Sequence, residues 1–231
     1  MSKHLQRDLE HLKKLILTLG SMVEEASNQA IAALVDRRPE LAEQVMAGDD
    51  EIDRREVELE EECLKILALH QPVAADLRYI VAVMKVNNDL ERMGDLAVNI
   101  AERAMFLSTH EPLELVLDFT NMVDKTRGMV RQALDALVHK NTDLARLVCR
   151  KDDEVDELNR RMFDVLQELI VQDPATIERA IHTLSVARHL ERIADLATNI
   201  AEDVVFMVEG EVIRHRTEDY RNSEAAASTK A

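Results

Sequence analysis

Hydrophobic positions recur at steps of three and four along almost the whole chain. Leu9, Leu12, Ile16, Leu19, Val23, Ala26, Ala30 and Ala33 form the first such seam. Steps of this size lay side chains along one stripe of an α-helix, so the pattern predicts a helix from Lys3 to about Asp36. Arg38-Pro39 ends it, and Pro39 suits the first turn of a second helix. That helix runs to about His70, with Leu41, Val45, Ile52, Leu59 and Ile66 facing inward. Gln71-Pro72 breaks it, a third helix follows to about Leu107, and His110-Glu111-Pro112 marks a boundary.

The same order then repeats. A fourth helix is expected from Leu113 to His139. Asn141 or Thr142 caps a fifth, whose Val155, Leu158, Met162, Val165 and Leu169 step by three and four. Asp173-Pro174 reads as a cap followed by proline at the first position of a sixth helix. That helix fades near Gly210, and the polar stretch beyond it is expected to be disordered. Met22-Val23-Glu24 matches Met122-Val123-Asp124, and Asp49 to Asp53 matches Asp152 to Asp156. The expected architecture is therefore all-α, a tandem repeat of two up-down-up three-helix bundles. Residues 1–110 make the first repeat, 111–209 the second, and 210–231 a tail.

Composition supports this reading. Hydrophobic residues make up 46% of the 231 positions but aromatics only 3%, and five glycines and four prolines are too few for a strand-and-turn protein. The net charge of −16 excludes a nucleic-acid groove and argues against attraction to an anionic membrane surface. No apolar run approaches the ~20 residues of a membrane span, and no signal-peptide core follows Met1. Cys63 and Cys149 stand alone in helical patterns and read as reduced, packed thiols of a cytoplasmic protein.

The chemistry concentrates in one motif that occurs twice. Glu91, Asp95 and Asn99 follow one another at steps of four, as do Glu191, Asp195 and Asn199. That spacing puts three oxygen-bearing side chains on one helix face, where the acids repel unless something offsets them. Counting back from the turns at ~1.5 Å per residue brings Asp49 and Asp53 level with Glu91 and Asp95, and Asp152 and Asp156 level with Glu191 and Asp195. Glu24 and Glu25 on the first helix, and Asp124 on the fourth, are expected at the same heights. Oxygen-only clusters of this kind suit Mg, Mn, Ca or Fe, and so many carboxylates call for more than one ion. Glu25 is replaced by Lys125, Asn28 by Gly128 and Asp89 by His189, so the second site is expected to be the weaker. Arg92 and Arg192 read as local ion-pair partners, His182 as a helix-surface residue, and Gly94 as a point of close helix contact.

The segments Gln71-Pro72-Val73-Ala74-Ala75-Asp76-Leu77-Arg78, Leu90 to Ala101 and Leu190 to Ala201 resemble the PhoU family. The second repeat departs at its turn, where Gln172-Asp173-Pro174-Ala175 stands for the first of these. The resemblance implies multinuclear metal clusters, of iron or zinc in some members and magnesium or manganese in others, with the acid motif falling on Glu91, Asp95, Glu191 and Asp195. It also implies a cytoplasmic, often dimeric, non-enzymatic protein working beside the inner membrane. Its implied partners are a phosphate ABC transporter, with its ATPase, and a sensor histidine kinase, and its implied effect is to hold the phosphate-starvation response off. The alternative from the residues alone is a carboxylate-bridged metalloenzyme, an oxidase or phosphohydrolase. Bundle di-iron sites usually add Glu-x-x-His on facing helices, and none is readable at the acid level.

Overall fold

The computed structural model of the chain describes residues 3–113 and 119–213. Six long helices account for nearly all of them: α1 (Lys3–Val35), α2 (Pro39–His70), α3 (Ala74–Ser108), α4 (Phe119–His139), α5 (Thr142–Gln172) and α6 (Ile177–Glu209). The expected start of the fourth helix and most of the expected tail fall on residues 114–118 and 214–231, outside the described residues.

The helix ends follow local chemistry. Pro39 opens α2 where an amide hydrogen would have no partner. Asn141 caps α5 by accepting from the Leu144 amide at 3.0 Å. Gly210 closes α6 in the left-handed region (φ 78°), its amide bonding to Phe206 O. Gln71 does the same for α2 without being glycine (φ 45°). The sixth helix does not start at Pro174 as expected. Asp173 accepts from the Ala175 amide, and Pro174–Thr176 form one 3-10 turn before α6 begins at Ile177. In α5 the buried stripe is Val155, Leu158, Met162 and Leu166, whereas Val165 turns outward and Leu169 is half-buried. The reason is drift: a step of three after Met162 falls short of a full turn of a 3.6-residue helix and adds to the lag already taken between Val155 and Leu158, whereas a step of four returns to the stripe.

α1, α2 and α3 pack on one another, as do α4, α5 and α6, and the two units meet along α3 and α6, with α1 also touching α4. The inner helices show their position in their burial: fourteen residues of α3 and fifteen of α6 are buried against six each in α2 and α5. A helix apolar on several sides belongs in the middle. Leu12, Leu19, Leu59, Ile80, Leu90 and Ile100 lie fully inside a single continuous core. Each such side chain contributes roughly 1.5–3 kcal/mol of burial.

Polar contacts fix the register of α3 against α6. Lys85 Nζ donates to Asp203 Oδ1 at 2.9 Å and lies 5.1 Å from the Phe206 ring centroid. Phe106 stacks on His182 at 3.8 Å and on His110 at 4.1 Å. Early residues of α3 thus meet late residues of α6, and the two helices run antiparallel. His182 is part of this seam rather than a free surface residue.

Candidate metal centre

The second repeat gathers three carboxylates. Asp152 and Asp156 on α5 and Asp195 on α6 each place one oxygen within 4.8 Å of the others. Ligands on opposite sides of one Mg or Ca ion lie about 4–5 Å apart, twice the ordinary ion–oxygen distance. The trio is therefore near the spacing an ion requires. Burial, then the charges of Asp195 and Asp156, push Asp152 up to about 6. Burial, then Glu191 and Asp156, push Asp195 to about the same value. Glu191 is raised as well, by burial and then by Asp156. These four acids feel one another, and the Asp152 Oδ1 oxygen is buried with no hydrogen-bond donor. The Thr198 hydroxyl draws Asp152 slightly the other way but makes no well-aligned bond to it.

The first repeat builds the same arrangement more loosely. Asp49 is raised by burial and then by Asp53 and Asp95, and Glu91 by burial and then by Asp95, Asp53 and Glu56. Asp49 Oδ1 is buried without a donor, as its counterpart Asp152 Oδ1 is. Among the described residues, only the second repeat brings three acid oxygens within 4.8 Å. Gly94 holds α3 close to α2 here, since a Cβ on it would stand 3.3 Å from Ile52 Cγ2 and 3.9 Å from Asp49 Oδ1. Asn99 donates from Nδ2 to the Asp95 carbonyl at 2.8 Å, which leaves its own carbonyl oxygen as a free acceptor. Asn199 lies with Asp152, Asp195 and Thr198 on an open groove of about 830 Å³.

The acids of α1 and α4 stand elsewhere. Glu24 lines a crevice against Thr126, Arg127 and Ile193 of the other repeat. Glu25 accepts from Gln29 and lines a depression with Gln44, Gly48, Glu51 and Ile52, which Asp49 does not line. Asp124 is exposed on α4. None of the raised carboxylates owes its shift to Glu24, Glu25 or Asp124. Counting heights along a helix gives the level but not the azimuth, and these three sit at the right level on other faces. Lys125 pairs with Glu154 and is not among the charges acting on Asp152, Glu191 or Asp195. Glu56 was not foreseen; it joins the first cluster while its carbonyl accepts from Asn87 Nδ2 at 2.9 Å. Its place three residues after Asp53 was the available signal. Arg92 and Arg192 make no ion pair among the described residues. Arg92 eases Glu91, and Arg192 eases Glu191 and Asp195.

Both cysteine thiols are pushed up to about 12 by burial, so neither is a ready nucleophile or ligand. No helix among the described residues is long and apolar enough to cross a membrane.

The profile described as the PhoU domain matches twice, at residues 16–104 and 119–204, once over each acid motif. The chain belongs to the PhoU family. It is 42% identical over 210 residues to the phosphate-specific transport system accessory protein PhoU homolog of Aquifex aeolicus, covering 91% of this chain and 95% of that one. The homolog from Clostridium acetobutylicum is 35% identical over 91% of this chain and 97% of its own. The crystal structure of PhoU from Pseudomonas aeruginosa superposes with a TM-score of 0.87 at 37% identity, over 89% of this chain and 99% of that chain. The phosphate transport system regulatory protein PhoU from Streptococcus pneumoniae gives 0.80 at 28% identity, over 90% and 98%. The six-helix, strand-free architecture of the described residues is thus that of solved PhoU structures.

Proposed function

We propose that this PhoU-family chain is a metal-bearing regulator of phosphate uptake and phosphate-starvation signalling. The relatives it matches are named as accessory or regulatory proteins of phosphate-specific transport. In this reading the protein works in the cytoplasm beside the inner membrane as a homodimer. It couples a phosphate ABC transporter to a sensor histidine kinase, holds the response off while phosphate is plentiful, and catalyses no reaction of its own.

The observation that carries the metal part is the pair of orphaned oxygens. Asp49 Oδ1 and Asp152 Oδ1 occupy equivalent places in the two repeats, both are buried, and neither accepts a hydrogen bond. A buried carboxylate oxygen without a donor is costly, and a cation is the partner that this donor set accepts. Asp152, Asp156, Asp195 and Glu191 would hold the ions of one centre, and Asp49, Asp53, Glu91 and Asp95 those of the other. The bound charge would turn an acidic face into one that accepts an anionic group from a partner or from solution.

The test changes Glu91, Asp95, Glu191 and Asp195 to Gln or Asn and measures metal content by elemental analysis, partner capture and restraint of the kinase. Loss of metal together with loss of restraint is the expected result. Wild-type partner binding and kinase restraint in the variant would refute the reading. Turnover of a phosphoester by the metal-loaded protein would favour an enzyme instead.

A further inference from the structure

The two repeats differ beside their acid centres, along the α3–α6 seam. The groove facing the second centre is lined by Lys85, Asn88, Asp89 and Arg92, and Lys85 is tied to the buried Asp203. One hundred positions away, the counterparts of these five residues are Ser185, Arg188, His189, Arg192 and Arg103. Leaving aside the acids common to both sides, the first set balances two positive charges with two negative ones. The other set has three arginines and no acid.

The geometry joins these residues. Ser185, Arg188, His189 and Arg192 follow at steps of three and four, so they share one face of α6. The antiparallel register set by Lys85–Asp203 and Phe106–His182 brings Arg103 of α3 opposite Ser185, and Asn99 of the first acid motif opposite His189. Arg103, Arg192 and Arg188 all bear on the His189 ring. Arg188 and Arg192 form no ion pair among the described residues, and Arg103 touches only Glu102, at 4.0 Å. Arg54, Arg55, Arg146, Arg160 and Arg161 all pair closely with glutamates elsewhere. Two guanidinium groups without an ion pair and a third only loosely paired, on one seam of a chain with 45 acids, call for a ligand. His189 adds a second observation. Its Nε2 lies 3.1 Å from Ser185 Oγ, and its buried Nδ1 has no partner. In the tautomer where the serine hydroxyl donates to Nε2, the ring hydrogen sits on Nδ1 as an unused donor, the form an anion would select.

We propose that Arg103, Arg188 and Arg192, grouped around His189, receive a small tetrahedral oxyanion, inorganic phosphate, at the seam beside the first acid centre. Guanidinium forks match the oxygen pairs of such an anion, and a buried imidazole N–H supplies a further donor. This inference rests on the metal-bearing reading in one respect: cations at the first centre offset the acids next to the bound anion. Beside the second centre Lys85 and Arg92 are balanced by Asp203 and Asp89, and no anion is taken there.

The test is calorimetric titration of full-length protein with inorganic phosphate in magnesium buffer, with bound magnesium measured on the same samples. Arg188 and Arg192 are exposed, so R188N, R192Q and the double variant leave the fold intact, as circular dichroism would verify. The expected result is one phosphate per chain in the wild type, weakened about tenfold by each single change and abolished by the double change. Arg92→Gln, on the other side, leaves phosphate affinity unchanged. Normal magnesium content with phosphate binding insensitive to R188N and R192Q, or with no phosphate bound, overturns this inference and leaves the metal reading standing. Absence of both magnesium and phosphate overturns both.

Discussion

The two acid centres share one motif and differ in how tightly it is drawn together. In the second, Asp152, Asp156 and Asp195 converge within an ion's span, and two of them rise to about 6. In the first, Asp49, Asp53, Glu91 and Asp95 couple at longer range. Identical ligand letters therefore do not fix identical preorganisation. The substitutions at Glu25, Asn28 and Asp89 suggested a poorer second site, yet they lie outside the trio, whose acid oxygens are the ones drawn within 4.8 Å among the described residues. A preorganised donor set loses less entropy on binding, so under the proposed metal-bearing reading the second centre is expected to fill first.

The largest test of this contrast is metal binding by single variants. Asp195→Asn should lower affinity for the first manganese or magnesium ion by about 10–100-fold in calorimetry, and Asp95→Asn by only a few-fold, on the scale expected for perturbing a metal site. Equal losses would erase the distinction. Next comes the seam. Asp203 is buried and paired with Lys85, so Asp203→Ala should cost about 2–3 kcal/mol in denaturant unfolding. Its counterpart Arg103→Ala should cost under ~1 kcal/mol, because that side chain is partly exposed and pairs only weakly.

Proton linkage gives a third, smaller effect. Asp152 and Asp195 have folded pKa values of about 6 against the ordinary aspartate value of 3.8. An acid raised on folding binds its proton more tightly in the folded state, so it destabilises when ionised and ceases to as pH falls through 6 toward 3.8. After chelation, stability should rise by about 1 kcal/mol from pH 7.5 to 5.5, solvent screening of these half-exposed groups included. The variant carrying Asn at both positions should lose that rise. A flat or inverted profile in the chelated wild type would contradict the coupling. The smallest effect concerns the helix contact at Gly94. Ala194→Gly should cost about 1 kcal/mol by helix propensity alone. Gly94→Ala should come out within about 0.5 kcal/mol of neutral, its propensity gain offset by the 3.3 Å approach to Ile52.

Much of this architecture was legible in the order of residues. Periodicity and the breaks at Pro39, Gln71-Pro72 and Asp173 place all six helices, and the hundred-residue echo reveals two units. The pairing of Asp49 and Asp53 with Glu91 and Asp95 follows from heights along antiparallel rods. What stayed hidden is rotational. Glu24, Glu25 and Asp124 share that height but face other neighbours, and azimuth depends on which stripe each helix buries. The seam was hidden as well, since nothing local in Lys85 announces Asp203, and nothing in Phe106 announces His182. Contacts between repeats lack the regular spacing that reveals contacts within a helix.

The placement of α3 and α6 side by side has a consequence for synthesis. α3 ends at Ser108 and its neighbour ends at Glu209, about a hundred residues later. At a bacterial ribosome's ~5–20 residues per second, the apolar flank of the nascent first half waits roughly 5–20 s for its cover. During that interval the flank is a natural target for a holding chaperone or for the same flank of another nascent chain.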